Sequence, residues 1–150
     1  DSLKVMSKSL RGMNLPRMGM AMAFLRLQDS TMTVSSAGMP PLMVYRAGTG
    51  EVEEVKVSGY PLGLSATAQY EEETFEVSPE DVILMMSDGL PERLNPEEEY
   101  FDYDRTRELF GRVAAGTPEE IVAAMLQGGN EWAEGRPMDD DITLVVLKAK

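Results

Sequence analysis

The stretch Val82-Ile83-Leu84-Met85-Met86-Ser87-Asp88-Gly89-Leu90 decides how this chain reads. An apolar run of this length bounded by turn residues predicts a buried strand, with Asp88 where the strand leaves the core. The end of the chain repeats the arrangement in reverse. Asp139-Asp140-Asp141 leads into Ile142-Thr143-Leu144-Val145-Val146-Leu147, so Asp140 sits where another strand enters. Carboxylates at strand ends are held rigidly. If the two strands are neighbours in one sheet, both carboxylates meet at its rim, an oxygen-rich arrangement that suits magnesium or manganese.

Composition narrows the chemistry. With 150 residues, 43% of them hydrophobic, the chain is long enough for one domain with a real core. No apolar run approaches the length of a membrane span and no charged-then-apolar leader opens the sequence, so a soluble protein without membrane insertion is expected. The absence of cysteine fits a reducing cytoplasm. Histidine is absent as well, which excludes a histidine general base, a thiolate nucleophile, a serine-histidine triad and histidine/cysteine zinc sites. Carboxylates, hydroxyls, lysine, arginine and a hard metal remain. The net charge is −12, with acid clumped at Glu51, Glu53 and Glu54, at Glu71 to Glu73, at Glu97 to Glu99 and at Asp139 to Asp141. Such a surface repels phosphate backbones, so no nucleic-acid partner is expected. The three Glu-rich clumps read as solvated loop tips.

The rest of the pattern is α+β. Residues 2–12 space Leu3, Met6 and Leu10 as a weakly amphipathic helix that looks cut at its front. Met18, Met20, Met22 and Phe24 alternate with Gly19, Ala21 and Ala23, which predicts a central strand whose methionine stripe fills core. Short strands follow at 31–37, 42–46 and 51–57, separated by turn residues as in an antiparallel meander. Further strands are expected at 74–77 and 82–86. A helix is then expected over 104–115, with Leu109, Phe110 and Val113 on one side. A second starts at Thr117-Pro118-Glu119-Glu120, where threonine, proline and glutamate make a capping box. Gly128-Gly129 marks a bend or an early end in it. Antiparallel strands, then helices, then one last strand imply a sheet or sheet pair with helices on its outer faces.

Three stretches in this order resemble the PPM-type metal-dependent serine/threonine protein phosphatases, in particular their SpoIIE-like bacterial branch. They are Ser36-Ala37-Gly38-Met39-Pro40-Pro41 with Gly59-Tyr60-Pro61-Leu62-Gly63-Leu64; Ser87-Asp88-Gly89-Leu90 with Glu92 and Asn95; and Asp140-Asp141-Ile142-Thr143-Leu144-Val145-Val146. The resemblance implies an antiparallel β-sandwich flanked by helices and a two-metal Mn2+ or Mg2+ site. It also implies attack of metal-activated water on phosphoserine or phosphothreonine without a phosphoenzyme. Asp88 and Asp140 match the family's catalytic, metal-ligating aspartates, and the implied metal positions are Asp88, Gly89 and Asp140. The implied partner is a phosphorylated signalling protein such as an anti-sigma-factor antagonist. The family's earlier motifs, an acidic residue on the first strands and an Asp-x-Ser-Gly-His-Gly stretch, are absent, and Met39 stands where the branch commonly has histidine. The expectation is therefore a single phosphatase domain over 1–150 lacking its N-terminal portion, a chain that is silent or nearly silent by itself.

Plainer readings stand beside these. Asp88-Gly89 after a strand is a common tight-turn pair, and Asp139 to Asp141 is a solvated acidic turn or a guard on a strand edge. Two carboxylates leave most positions of a hard cation to water. Gly38, Gly59, Gly63 and Gly89 lack the lysine and hydroxyl of a phosphate loop and read as turns. Ser87 reads as a structural hydroxyl, because no histidine base exists. Asn14, Arg17 and Arg46 carry groups that suit a substrate phosphate, though no pattern selects them. The rival function is a catalytically degenerate, phosphatase-like binding module that docks a regulatory partner. A calcium-binding domain is weaker still, without the twelve-residue ligand loop.

Overall fold

The computed structural model describes residues 2–13 and 18–150. In chain order it contains α1 (Ser2–Gly12), β1 (Met22–Gln28), β2 (Thr31–Ala37), β3 (Leu42–Arg46), β4 (Glu51–Val55), β5 (Glu72–Glu76), β6 (Val82–Met86), α2 (Asp102–Val113), α3 (Pro118–Ala133) and β7 (Leu144–Lys148). Two compact units form, one from Asp1–Pro41 with Lys56–Val77 and the other from Leu42–Val55 with Ser78–Lys150. Each unit has its own antiparallel sheet, ordered β1-β2-β5 in the first and β4-β3-β6-β7 in the second. The chain thus changes sheet after β2, after β4 and after β5, which a simple meander would not do.

In the first unit β2 lies between its neighbours and alternates as a half-buried strand should, with Met32, Val34 and Ser36 buried. Leu25 of β1 stands opposite Val34, so the covered face of β1 carries Ala23 and Leu25. The methionine stripe is on the other face. Met18 is 61% exposed, Met20 38% and Phe24 41%, and β1 is an edge of its sheet rather than a central strand. Period two separates the faces of a strand, but what packs over each face decides which is buried. Met22 of the stripe packs, partly buried, against the cluster of Leu3, Ala37 and Leu62.

Helix α1 corrects its predicted face in the same way. Leu3 and Ser7 are buried while Met6 is exposed. The Ser7 hydroxyl is tolerated inside because it accepts the Gly63 amide at 3.1 Å. The stretches around Gly38 and Gly59 meet as neighbours: the Gly38 amide donates to the Gly59 carbonyl at 2.8 Å. A Cβ on Gly59 would stand 2.0 Å from the Ser36 carbonyl oxygen, so this contact needs glycine. Gly38, with φ +74°, fits the expected turn, whereas Gly59 lies in a β-bridge to Tyr70 and serves close backbone packing instead of a turn.

In the second unit β6 is sandwiched between β3 and β7. Met43, Val82, Leu84, Met86 and Leu90 form one core with Phe101, Phe110, Ile121 and Met125, which joins α2 and α3 to the sheet. The capping box at Thr117 is present: its hydroxyl accepts the Glu120 amide, and the Glu120 carboxylate accepts the Thr117 amide at 2.8 Å. Helix α3 then runs straight through Gly128-Gly129 to Ala133. A Cβ at Gly128 would lie 2.4 Å from Leu109, and one at Gly129 2.6 Å from Leu90, so the two glycines let α3 approach its neighbours rather than end. No helix among the described residues is long and apolar enough to cross a membrane.

Candidate functional site

Strands β6 and β7 pair antiparallel, with Met86 opposite Leu144 and Val82 opposite Lys148. Antiparallel pairing puts the exit of β6 beside the entry of β7, so Asp88 and the Asp139 to Asp141 run share one rim. The two apolar runs are thus neighbours in one sheet, with the regular strand of the second starting at Leu144 rather than at Ile142.

Ser87 stitches the rim together. Its amide donates to the Thr143 carbonyl at 3.0 Å, its hydroxyl donates to the Asp141 carbonyl at 3.1 Å, and the same oxygen accepts the Thr143 amide at 3.0 Å. Ser87 is the structural hydroxyl that the sequence suggested. Gly89 closes the junction from the other side: a Cβ there would stand 2.3 Å from the Asp141 carbonyl oxygen. Asp88 lies between these two contacts. Its carboxylate makes no hydrogen bond or ion pair among the described residues, and it is exposed. Asp140 is exposed too, and one of its oxygens accepts the Asp141 amide at 2.7 Å. Asp139 lies 3.5 Å from the Arg136 guanidinium.

The field around the rim is negative. Burial pushes the Tyr103 hydroxyl above its ordinary pKa, and the charges of Glu92, Asp88 and Glu54 push it further. At the opposite end of β6, Asp81 does a different job. It is buried and accepts the Ser78 amide at 3.1 Å, the Ala47 amide at 2.9 Å and the Arg46 guanidinium at 3.0 Å. Arg46 also pairs with Glu53, which commits this cation to structure rather than to a substrate phosphate. Asn14 and Arg17 lie outside the described residues.

The sequence profile of the Stage II sporulation protein E (SpoIIE) family matches residues 4–150. The chain belongs to the SpoIIE family. The Stage II sporulation protein E of Priestia megaterium is 25% identical to it over 127 residues, 85% of this chain and 21% of that protein. Among solved structures, the SiaA-PP2C domain of Pseudomonas aeruginosa matches with a TM-score of 0.86 at 18% identity, over 99% of this chain and 59% of that one. The manganese-presoaked phosphatase domain of SpoIIE from Bacillus subtilis matches with a TM-score of 0.66 at 19% identity, over 97% of this chain and 66% of that one. This SpoIIE-family chain therefore has the α+β fold of PP2C phosphatase domains. It spans about a fifth of the curated relative and about three-fifths of the SiaA domain chain.

The rim suits a hard divalent cation in kind. Its donors are exposed carboxylate oxygens, and that of Asp88 is uncommitted. In number the donor set does not close, since no group of three or more acidic residues among the described residues could hold a metal. The sequence reading missed Arg93, a residue that ties this SpoIIE-family rim to the chain beyond α3. Nothing in Glu92-Arg93-Leu94 distinguishes a buried guanidinium from a solvated turn residue, because arginine is usually exposed.

Proposed function

We propose that this chain carries the Asp88 and Asp140 half of a two-metal Mn2+ or Mg2+ centre in a protein serine/threonine phosphatase. The observation that carries the reading is the Ser87 bridge to residues 141 and 143, which brings the two aspartate segments to one rim. Asp88 supplies an unpaired carboxylate to a cation, and Asp140 supplies a second beside it. A divalent pair contributes what a chain without histidine and cysteine lacks, an activated water at neutral pH. Gly89 is assigned to the same centre through its place at the junction rather than through a side chain. The remaining ligands come from a portion of the domain that precedes these residues, so the domain over 1–150 is incomplete and nearly silent by itself.

The substrate is a phosphoserine or phosphothreonine in a signalling protein, with an anti-sigma-factor antagonist as the partner class and the cytoplasm as the location. The family membership supports this reading. A second reading, a phosphatase-like module that docks a partner without turnover, draws support from the open donor set.

Phosphate release from a phosphothreonine peptide with manganese separates the two. The assay compares this chain, a longer protein that carries the upstream residues, and the longer protein with Asp88→Asn. Manganese-dependent turnover by the longer protein that Asp88→Asn removes supports the enzyme. Undiminished turnover by Asp88→Asn discards the metal role of Asp88, and no turnover by the longer protein favours the docking module.

A further inference from the structure

Arg93 is 5% exposed, a rare place for a guanidinium without a carboxylate partner. Its two terminal nitrogens donate to main-chain oxygens, Nη1 to the Pro137 carbonyl and Nη2 to the Arg136 carbonyl, each at 2.6 Å. No ion pair reaches it among the described residues, and its Nε is buried without a hydrogen-bond partner. A buried cation held only by carbonyl dipoles is an expensive device for merely closing a loop, which a hydroxyl or amide could do without desolvating a charge.

Its position explains the device. Residues 138–140, with Asp139 and Asp140 among them, hang between two anchors. One anchor is Arg93 at residues 136 and 137, and the other is Ser87 with Gly89 at residues 141 to 143. Both anchors lie in residues 87–93, the segment that contains Asp88. That segment is itself braced, since the Glu92 amide donates to the Asp88 carbonyl at 2.9 Å and the Arg93 amide to the Leu90 carbonyl at 3.1 Å. The span carrying Asp140 is therefore tied at both ends to the turn carrying Asp88.

We propose that Arg93 is a positioning residue that holds the Asp140 segment in register with Asp88 by forking its guanidinium onto the Arg136 and Pro137 carbonyls. The metal consequence rests on the reading of Asp88 and Asp140 given above; the mechanical one does not. A planar fork reaches two adjacent carbonyls at once, whereas a lysine ammonium is a point donor that reaches one of them well.

The test uses this chain with Arg93→Ala and Arg93→Lys, and with Ile121→Val as a core control. Amide hydrogen exchange over residues 138–143 of this chain reads the clamp, and manganese titration of the longer protein that carries the upstream residues and the same substitutions, followed by the electron paramagnetic resonance of the free ion, reads the metal. Arg93→Ala should speed exchange across 138–143 by about tenfold or more while β6 and α3 keep theirs. It should weaken manganese binding by about tenfold, the scale seen when a partner behind a metal ligand is lost. Guanidinium ion at a non-denaturing concentration should restore both, Arg93→Lys should restore them only in part, and Ile121→Val should move neither. If Arg93→Ala does not fold, the Arg93→Lys comparison decides the same two readouts. Unchanged exchange over 138–143 in a folded variant overturns the clamp. Faster exchange with unchanged manganese affinity reduces Arg93 to a structural tie. Absence of manganese binding by the unsubstituted longer protein counts against the metal reading, and the exchange result still decides the clamp.

Discussion

The hydroxyl of Ser87 and the carbonyl of Asp141 are joined at 3.1 Å, and the same hydroxyl oxygen takes the Thr143 amide at 3.0 Å. One side chain therefore continues the β6-β7 ladder past its last regular pair and spaces the two acidic segments of the rim. Removing it should be felt as a local loosening. Ser87→Ala is expected to cost about 1–2 kcal/mol of stability in urea unfolding, the scale of one or two net hydrogen bonds. An unchanged midpoint would show that water replaces both contacts and that the bridge does not space the rim.

Gly89→Ala tests the opposite fault, too much matter at the same junction. The new methyl would stand 2.3 Å from the Asp141 carbonyl oxygen and 2.9 Å from its carbon, and backbone cannot rotate away as a side-chain end can. A loss of about 2–3 kcal/mol is expected, with amide shifts concentrated at residues 141–143. Wild-type stability in this variant would mean that the two segments do not press together in solution.

Asp88→Asn separates the functional reading of Asp88 from its plainer reading as a turn residue. The carboxylate is exposed and has no partner among the described residues, so its neutralisation should change stability by no more than about 0.5 kcal/mol. Manganese uptake by the longer protein that carries the upstream residues should fall sharply at the same time. A drop in thermal midpoint with unchanged manganese uptake would return Asp88 to the role of a turn residue.

Asp81 should govern part of the acid limb of the stability curve. Burial raises its pKa, but the amides of Ser78 and Ala47 and the Arg46 guanidinium outweigh burial and hold it below the usual carboxylate range. A folded pKa below the unfolded value makes the contribution complete above about pH 4, the range of an unperturbed carboxylate, and lost as pH falls through the folded value. Asp81→Asn should cost about 1–3 kcal/mol at neutral pH, because it removes a buried, charge-assisted acceptor. It should also flatten the fall in stability below about pH 4. Parallel pH profiles for the two proteins would contradict the assignment.

Local chemistry in this chain is legible where one segment carries its own instructions. The bounds of β2, β3 and β6 and the capping box at Thr117 follow from turn residues, apolar runs and reciprocal hydrogen bonds between residues three apart. Half of the candidate site is legible in the same sense, since Asp88 and Asp140 stand beside strands that apolar runs bounded by turn residues mark in the sequence. The α3 glycines show the limit. Gly128 and Gly129 look like breakers in sequence, and only Leu109 and Leu90 across the packing interface explain why the helix keeps them.

The sequence by itself determined residue chemistry: an acid-rich chain without histidine or cysteine, two aspartate segments at strand ends, and alternating strands followed by helices. Tertiary structure decided which of these things meet. It put β7 beside β6, turned Met18, Met20 and Phe24 outward, buried Ser7 in place of Met6 and aimed Arg93 at the carbonyls of residues 136 and 137. Periodicity and turn propensity are local quantities, whereas pairing, burial of a face and satisfaction of a buried charge depend on groups tens of residues away in the chain.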